Sequence, residues 1–193
     1  MNPELCVVLL AGGQSRRMGR NKALIPLQGS PMISRLAGEA GRLTDQILIS
    51  ANDITLYESL GLPIVPDIYK GHGPLAGLHA AMLHSERPLL LALACDLAAV
   101  KESLLRLLVR GAEGYDAVIP VTSDGRPHPL CAVYRRSCLP TIERNLNLGT
   151  NKITRVLESL NVNWLPESPN TFRAGEVCNL NTPEDLASFL SSP

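Results

Sequence analysis

The chain has 193 residues, 18 basic and 18 acidic side chains and a formal net charge of zero, with hydrophobic residues at 45% and aromatics at 4%. That length suits one domain with a full aliphatic core. The charge balance argues against generic nucleic-acid binding, which draws its affinity from cationic surface, and the apolar runs fall far short of the ~20 residues a membrane span needs.

The first apolar run, residues 5–11, predicts a buried strand. Beyond the loop that follows it, apolar residues near a 3.6 period predict a helix over 31–43, with Pro31 in the first turn, where a missing N–H costs nothing. Strands at 46–50, 63–65, 89–94, 116–120 and 130–134 alternate with helices at 53–61, 74–85 and 101–111. Pro74 again opens its helix. In the last third, 137–148 and 152–160 look helical, 162–165 forms a short strand and 167–175 a loop. Thr182-Pro-Glu-Asp185 then opens a final helix, with Thr182 as N-cap, Pro183 at N1 and Asp185 at N3. The alternation predicts a single-domain α/β protein: a Rossmann-like three-layer sandwich with a mostly parallel twisted sheet and helices on both faces. In such sheets ligands bind outside the carboxyl ends of the strands, so the loops starting at Gly12, Ala51, Pro66 and Cys95 should share one edge.

The most informative stretch is Leu10-Ala-Gly-Gly-Gln-Ser-Arg-Arg-Met-Gly-Arg-Asn-Lys22. Between residues 5 and 38 there is no Asp or Glu, yet Arg16, Arg17, Arg20, Lys22 and Arg35 all fall inside. Glycines let backbone approach a ligand closely, and cations beside bare N–H groups suit a polyphosphate. A Walker loop is excluded because Gly19 is followed by Arg20, Asn21 and Lys22. The dinucleotide form Gly-x-Gly-x-x-Gly is excluded because Gly12 and Gly13 are adjacent.

Asp96 follows a very apolar strand at the predicted ligand edge, where a carboxylate beside a polyphosphate would collect Mg²⁺. It lies several residues too early to cap the helix at 101–111. Asn179 and Asn181 alternate onto one side of an extended segment. Two readings of them stand: completing a metal shell or holding the attacking group, and turn or cap chemistry before the last helix. Residues 71–77 combine a flexible loop with a helix N-terminus whose dipole favours an anion, and a plain helix start is an equal reading. Asp67 ends a strand within reach of a sugar hydroxyl or base edge. His128, in a Pro-rich loop, fits a structural or substrate-contacting role better than a general base. No Ser/His/Asp, Cys/His or His-rich cluster is visible, so covalent catalysis has no machinery. Five cysteines, Cys6, Cys95, Cys131, Cys138 and Cys178, form no C-x-x-C pair. That odd count without a signal peptide predicts a reducing, cytoplasmic setting.

Residues 10–22 resemble the signature of nucleotidyltransferases that activate sugars or cofactors. With Gly73-Pro-Leu-Ala-Gly77, Ala94-Cys-Asp96, His128-Pro-Leu-Cys-Ala-Val-Tyr134 and Asn179-Leu-Asn-Thr-Pro-Glu-Asp185, the chain resembles the molybdenum cofactor guanylyltransferases over nearly its whole length. The double glycine Gly12-Gly13 favours them over cytidylyl-transferring relatives. The resemblance implies one nucleotidyltransferase domain over 1–193, its N-terminal part binding GTP and its C-terminal part molybdopterin. It implies transfer of GMP from GTP to molybdopterin, with release of pyrophosphate. Guanine would lie against the backbone of Leu10, Ala11 and Gly12, with Asn52 and Asp67 on base or ribose. Arg17 and Lys22 would brace the triphosphate and Mg²⁺ would sit on Asp96, with Asn179 and Asn181 as further ligands. Cofactor-insertion proteins and apo-molybdoenzymes are the implied protein partners. The sequence departs from the family pattern at Asn21, usually Asp, and at Ala98, usually Pro in Asp-Met-Pro. A cytidylyl- or sugar-phosphate-transferring relative and a non-catalytic cofactor carrier are the alternatives.

Overall fold

A computed structural model describes residues 1–12, 21–27, 29–180 and 182–191. Strand β1 (Leu5–Leu10) is buried along its whole length. Leu5, Val7 and Leu9 enter one core while Cys6, Val8 and Leu10 enter the other, the two-sided burial a central strand of a parallel sheet requires. After a 3₁₀ turn (Lys22–Leu24), the two-residue strands β2 (Pro26–Leu27) and β3 (Ser30–Pro31) pair antiparallel. Then come α1 (Met32–Gly41), β4 (Gln46–Ser50), β5 (Ile64–Val65), α2 (Pro74–His84), β6 (Leu89–Ala94) and α3 (Glu102–Arg110). The chain continues through β7 (Ala117–Val121), β8 (Cys131–Arg135), α4 (Leu139–Asn147), α5 (Ile153–Leu157), β9 (Val162–Pro166) and α6 (Pro183–Ser191).

The main sheet has the order β5-β4-β1-β6-β8-β7-β9. On one face α1 and α3 bury Ile33, Leu36, Leu104, Leu105 and Leu108 against it. On the other, α2, α4 and α5 bury Leu75, Leu78, Met82, Ile142, Leu146 and Val156. The expected three-layer α/β sandwich is therefore present. Pro74 sits at the first helical position of α2, whereas Pro31 stands one residue before α1, with no side-chain capping bond.

The sheet is mostly parallel, as expected: β8 alone runs antiparallel to its neighbours β6 and β7, and the other pairings are parallel. Some helix bounds need correction. The helix expected at 53–61 shrinks to a 3₁₀ turn, Glu58–Leu60, closed by Gly61 at φ +65°. Its apolar residues share no buried face, since Ile54 and Leu56 are exposed while Tyr57 is buried. The Thr55 hydroxyl also donates to Asp53 Oδ1 at 2.8 Å, a bond between side chains two residues apart, which do not face each other on a helix. The helix expected at 152–160 ends at Leu157, where the Ser159 hydroxyl and N–H both take the Val156 carbonyl. That over 137–148 opens as a 3₁₀ turn, Arg136–Cys138, and the loop at 167–175 runs into another, Ala174–Val177.

Candidate active site

From β1 the chain works outward to β4 and β5, then returns to β6 on the opposite side of β1. Such a reversal opens a crevice between strand carboxyl ends. The cleft lies there, lined by Leu10, Ala11, Gly12, Lys22, Asp67 and Asp96 among others. Loops after β1, β5 and β6 thus share the edge the alternation predicted.

Asp96 follows β6 in a turn in which the Leu97 N–H donates to the Ala94 carbonyl at 3.2 Å. It does not cap α3, whose N-cap is Lys101. Lys22 Nζ stands 3.9 Å from Asp96 Oδ2. Burial pushes the Asp96 carboxyl above the usual carboxylate range, and Lys22 and an Asn179 side-chain hydrogen bond only partly oppose this. Its Oδ1 is buried with no hydrogen-bond partner among the described residues. A buried carboxylate oxygen left uncompensated is costly, and a hard divalent cation is the partner its chemistry fits.

Asn179 reaches the same cleft. It bridges to Leu97, and the Leu180 N–H donates to the Asp96 carbonyl at 3.0 Å. The cap of α6 is made instead by Thr182 and Asp185: the Thr182 N–H donates to Asp185 Oδ2 at 2.9 Å and the Asp185 N–H to Thr182 Oγ1 at 3.1 Å. Asn179 thus lines the cleft, and the α6 cap is completed without it. Asn181, Arg16, Arg17 and Arg20 lie outside the described residues.

Asp67 lines the cleft, and Gly12 faces it: a Cβ at Gly12 would come 4.0 Å from Asp67 Oδ2. Exposed Asn52 donates to Asp67 Oδ2 at 2.8 Å and accepts the Asp67 N–H at 3.1 Å. Ser50 at the end of β4 adds a third contact, 3.3 Å to Asp67 Oδ1. Asp67 is thus held from two sides, with Asn52 as its support.

The N-terminus of α2 points at the cleft through Gly73 and Pro74. Gly73 adopts φ +61°, ψ −151°, a backbone that only glycine holds without strain. Gly77 is needed for a different reason, because a Cβ there would collide with Ser50 Oγ and approach Leu10 Cδ2 to 2.9 Å. Gly73 thus shapes the turn into α2, while Gly77 allows the close seating of this helix on β1 and β4.

His128 lies in a neighbouring groove with Arg126 and Asn151, which meets the main cleft at Pro74, Leu130 and Asn179. Its Nε2 is 3.2 Å from Thr122 Oγ1, and burial lowers its pKa. Ala98, at the second departure from the family pattern, packs with Leu27, Met32 and Leu180. Sequence reading missed Ser50 and Tyr57. A lone serine ending an apolar strand was a usable sign; Tyr57 offered none, for its partners are the Ala11 carbonyl and the Asn21 amide.

The fold and this cleft define a nucleotidyltransferase. The chain matches the MobA-like NTP transferase domain over residues 7–164. It is 37% identical over 182 residues, 93% of this chain and 88% of the relative, to a protein of Pelotomaculum thermopropionicum named probable molybdenum cofactor guanylyltransferase. It is 34% identical to the molybdenum cofactor guanylyltransferase of Desulfosudis oleivorans, covering 93% of this chain and 91% of that one. The crystal structure of molybdopterin-guanine dinucleotide biosynthesis protein A from Archaeoglobus fulgidus superposes with a TM-score of 0.80 at 31% identity, over 94% of this chain and 95% of that one. The chain belongs to the MobA-like NTP transferase family, within its molybdenum cofactor guanylyltransferase branch.

Proposed function

We propose that the chain transfers GMP from GTP to molybdopterin, with Mg²⁺ as the divalent cation, in the cytoplasm. The observation that carries this reading is the meeting of Lys22 and Asp96 at 3.9 Å on the cleft edge, beside Gly12 and the N-terminus of α2. Guanine lies along Leu10, Ala11 and Gly12, and Asn52 and Asp67, hydrogen-bonded to each other, hold base or ribose. Lys22 and Arg17 neutralise the triphosphate. Asp96, with Asn179 and Asn181, would hold the cation, which when bound supplies charge neutralisation at the phosphates.

A terminal phosphate oxygen of the acceptor attacks the α-phosphorus in line. A new P–O bond forms, the bond from the α-phosphorus to the bridging oxygen breaks, and pyrophosphate leaves. The nucleophile is already anionic at neutral pH, so no strong base is needed and positioning with charge compensation carries the catalysis. The acceptor enters from the groove beside His128, Arg126 and Asn151. Cofactor-insertion proteins and apo-molybdoenzymes are the partners such a product calls for. Among the described residues no helix is long and apolar enough to cross a membrane.

The test is pyrophosphate release with molybdopterin and Mg²⁺, comparing GTP, CTP, ATP and UTP. Release with GTP alone is the expected result. Preference for CTP would move the chain to cytidylyl transfer, and nucleotide binding without any release would favour a carrier.

A further inference from the structure

Ala11 and Asn21 stand at the two ends of the Gly-rich signature segment, and a single hydroxyl touches both. Tyr57 Oη donates to the Ala11 carbonyl at 3.1 Å and accepts from Asn21 Nδ2 at 2.7 Å. Asn21 is committed on its other side too. Its Oδ1 accepts the Ala23 N–H at 3.1 Å, capping the 3₁₀ turn that carries Lys22. The Ala11 N–H is likewise taken, by the Ser50 carbonyl at 2.9 Å. Tyr57 comes from the far side of α1 and β4 in the sequence. Its ring is buried in the core with Ala11, Ala23, Ile49 and Ala51, so the hydroxyl is delivered from a fixed anchor.

The direction of these bonds depends on residue 21 being an amide. A tyrosine hydroxyl has one proton to give. A carboxylate at 21, an acceptor only, would compete with the Ala11 carbonyl for that proton, and one of the two links would be lost. Asn21 resolves the competition by donating, so the hydroxyl keeps its proton for Ala11. The departure from the family pattern noted at this position thus has a structural use in this chain.

Resting on the nucleotidyl-transfer reading above, we infer that Tyr57, acting with Asn21, is a positioning residue for nucleotide binding: the Asn21–Tyr57–Ala11 relay fixes Gly12 and Lys22 relative to one another. Gly12 and Lys22 both line the cleft, on either side of the signature segment. Neither Tyr57 nor its hydroxyl touches substrate in this account.

The test compares wild type with Tyr57→Phe, which keeps the buried ring and removes the hydroxyl, and with Asn21→Asp, which keeps the cap on Ala23 and removes the donor. GTP dissociation constants are measured directly with a fluorescent GTP analogue and Mg²⁺, alongside steady-state KM values for GTP and acceptor. Each variant is expected to weaken GTP binding about three- to tenfold, the range for one hydrogen bond. The KM for GTP should rise in parallel while the KM for the acceptor holds. The double variant should be no worse than either single one, because both break the same relay. A lower melting temperature with unchanged GTP affinity would reduce Tyr57 to a packing residue and overturn the inference. Additive losses in the double variant would overturn the relay. Asn21 is only half-buried, so its variant still reports if Tyr57→Phe folds poorly. If wild type binds GTP without releasing pyrophosphate, guanylyl transfer fails while the affinity comparison still decides the relay. If wild type prefers another nucleotide, the same ratio is read with that one.

Discussion

Lys22 and Asp96 form a pair whose two halves are not equally at ease. The Asp96 carboxyl is held above its usual range by burial, so its charge is a cost to the folded chain. Lys22→Ala and Asp96→Asn should each reduce turnover by about 10²–10³-fold, the scale of one lost transition-state contact. Their stabilities should then part company. Lys22→Ala removes the cation beside a buried carboxylate and lowers the melting temperature, whereas Asp96→Asn removes the carboxylate's charge and raises stability by on the order of 1 kcal/mol. Urea denaturation without Mg²⁺ checks the pair, and a fall in both variants would contradict this account. Asp96 and Lys22 were legible in the sequence because a strand leading into a Gly- and cation-rich loop, and a second strand ending on Asp, leave few chemical alternatives. Asn179 was not, since amides before a helix serve caps and ligands equally well. Only the bonds between Thr182 and Asp185 free it from capping. Asn52 was grouped with Asp67 at the ligand, and the structure joins the two by a pair of hydrogen bonds that neither residue type announces in sequence.

At the scale of elements, α2 ties the cleft to the sheet. Its N-terminus reaches the cleft because Gly77 lets the helix lie against Ser50 and Leu10. Gly77→Ala gains about 1 kcal/mol of helix propensity but overpacks a contact with little room, at about 1–3 kcal/mol. The expected outcome is a net loss of stability, seen as a lower urea midpoint, with a raised KM for GTP as the helix start moves outward. An unchanged midpoint would mean that Ser50 swings aside freely. Helices with one clear apolar stripe, such as α3, were readable from period alone. The segment at 53–61 carried a similar count of apolar residues but has no buried face to present. Its side chain–side chain bond between Thr55 and Asp53 is invisible to periodicity.

For the molecule as a whole, parallel alternation announced the layers but not the reversal at β8. A strand's direction is set by the length and turn chemistry of its connection, and here β7 returns directly through a turn-rich loop instead of a helix. The two-layer helix covering buries His79 fully between α2 and α4, edge-on to Tyr69 at 5.0 Å between ring centroids. Burial lowers its pKa from the ordinary 6.5, with Glu143 opposing. The unfolded chain therefore takes up a proton first as pH falls through 6.5, and the folded state loses stability below that value. His79→Leu should flatten part of this decline in melting temperature against pH; His128, also lowered by burial, supplies a second part of the same sign. A slope unchanged in His79→Leu would show that residue 79 does not contribute. The reversed strand has one more effect. β8 begins where β6 ends, with Leu93 opposite Cys131 and the Ala94 N–H on the Leu130 carbonyl at 2.7 Å. One side of the cleft thus hangs from long crossovers, while the neighbouring groove is bordered by a hairpin tip between Val121 and Cys131. That tip can lengthen, shorten or change composition without disturbing how the strands are threaded, so the acceptor path proposed above sits on a part of the fold that can vary while the sheet stays constant.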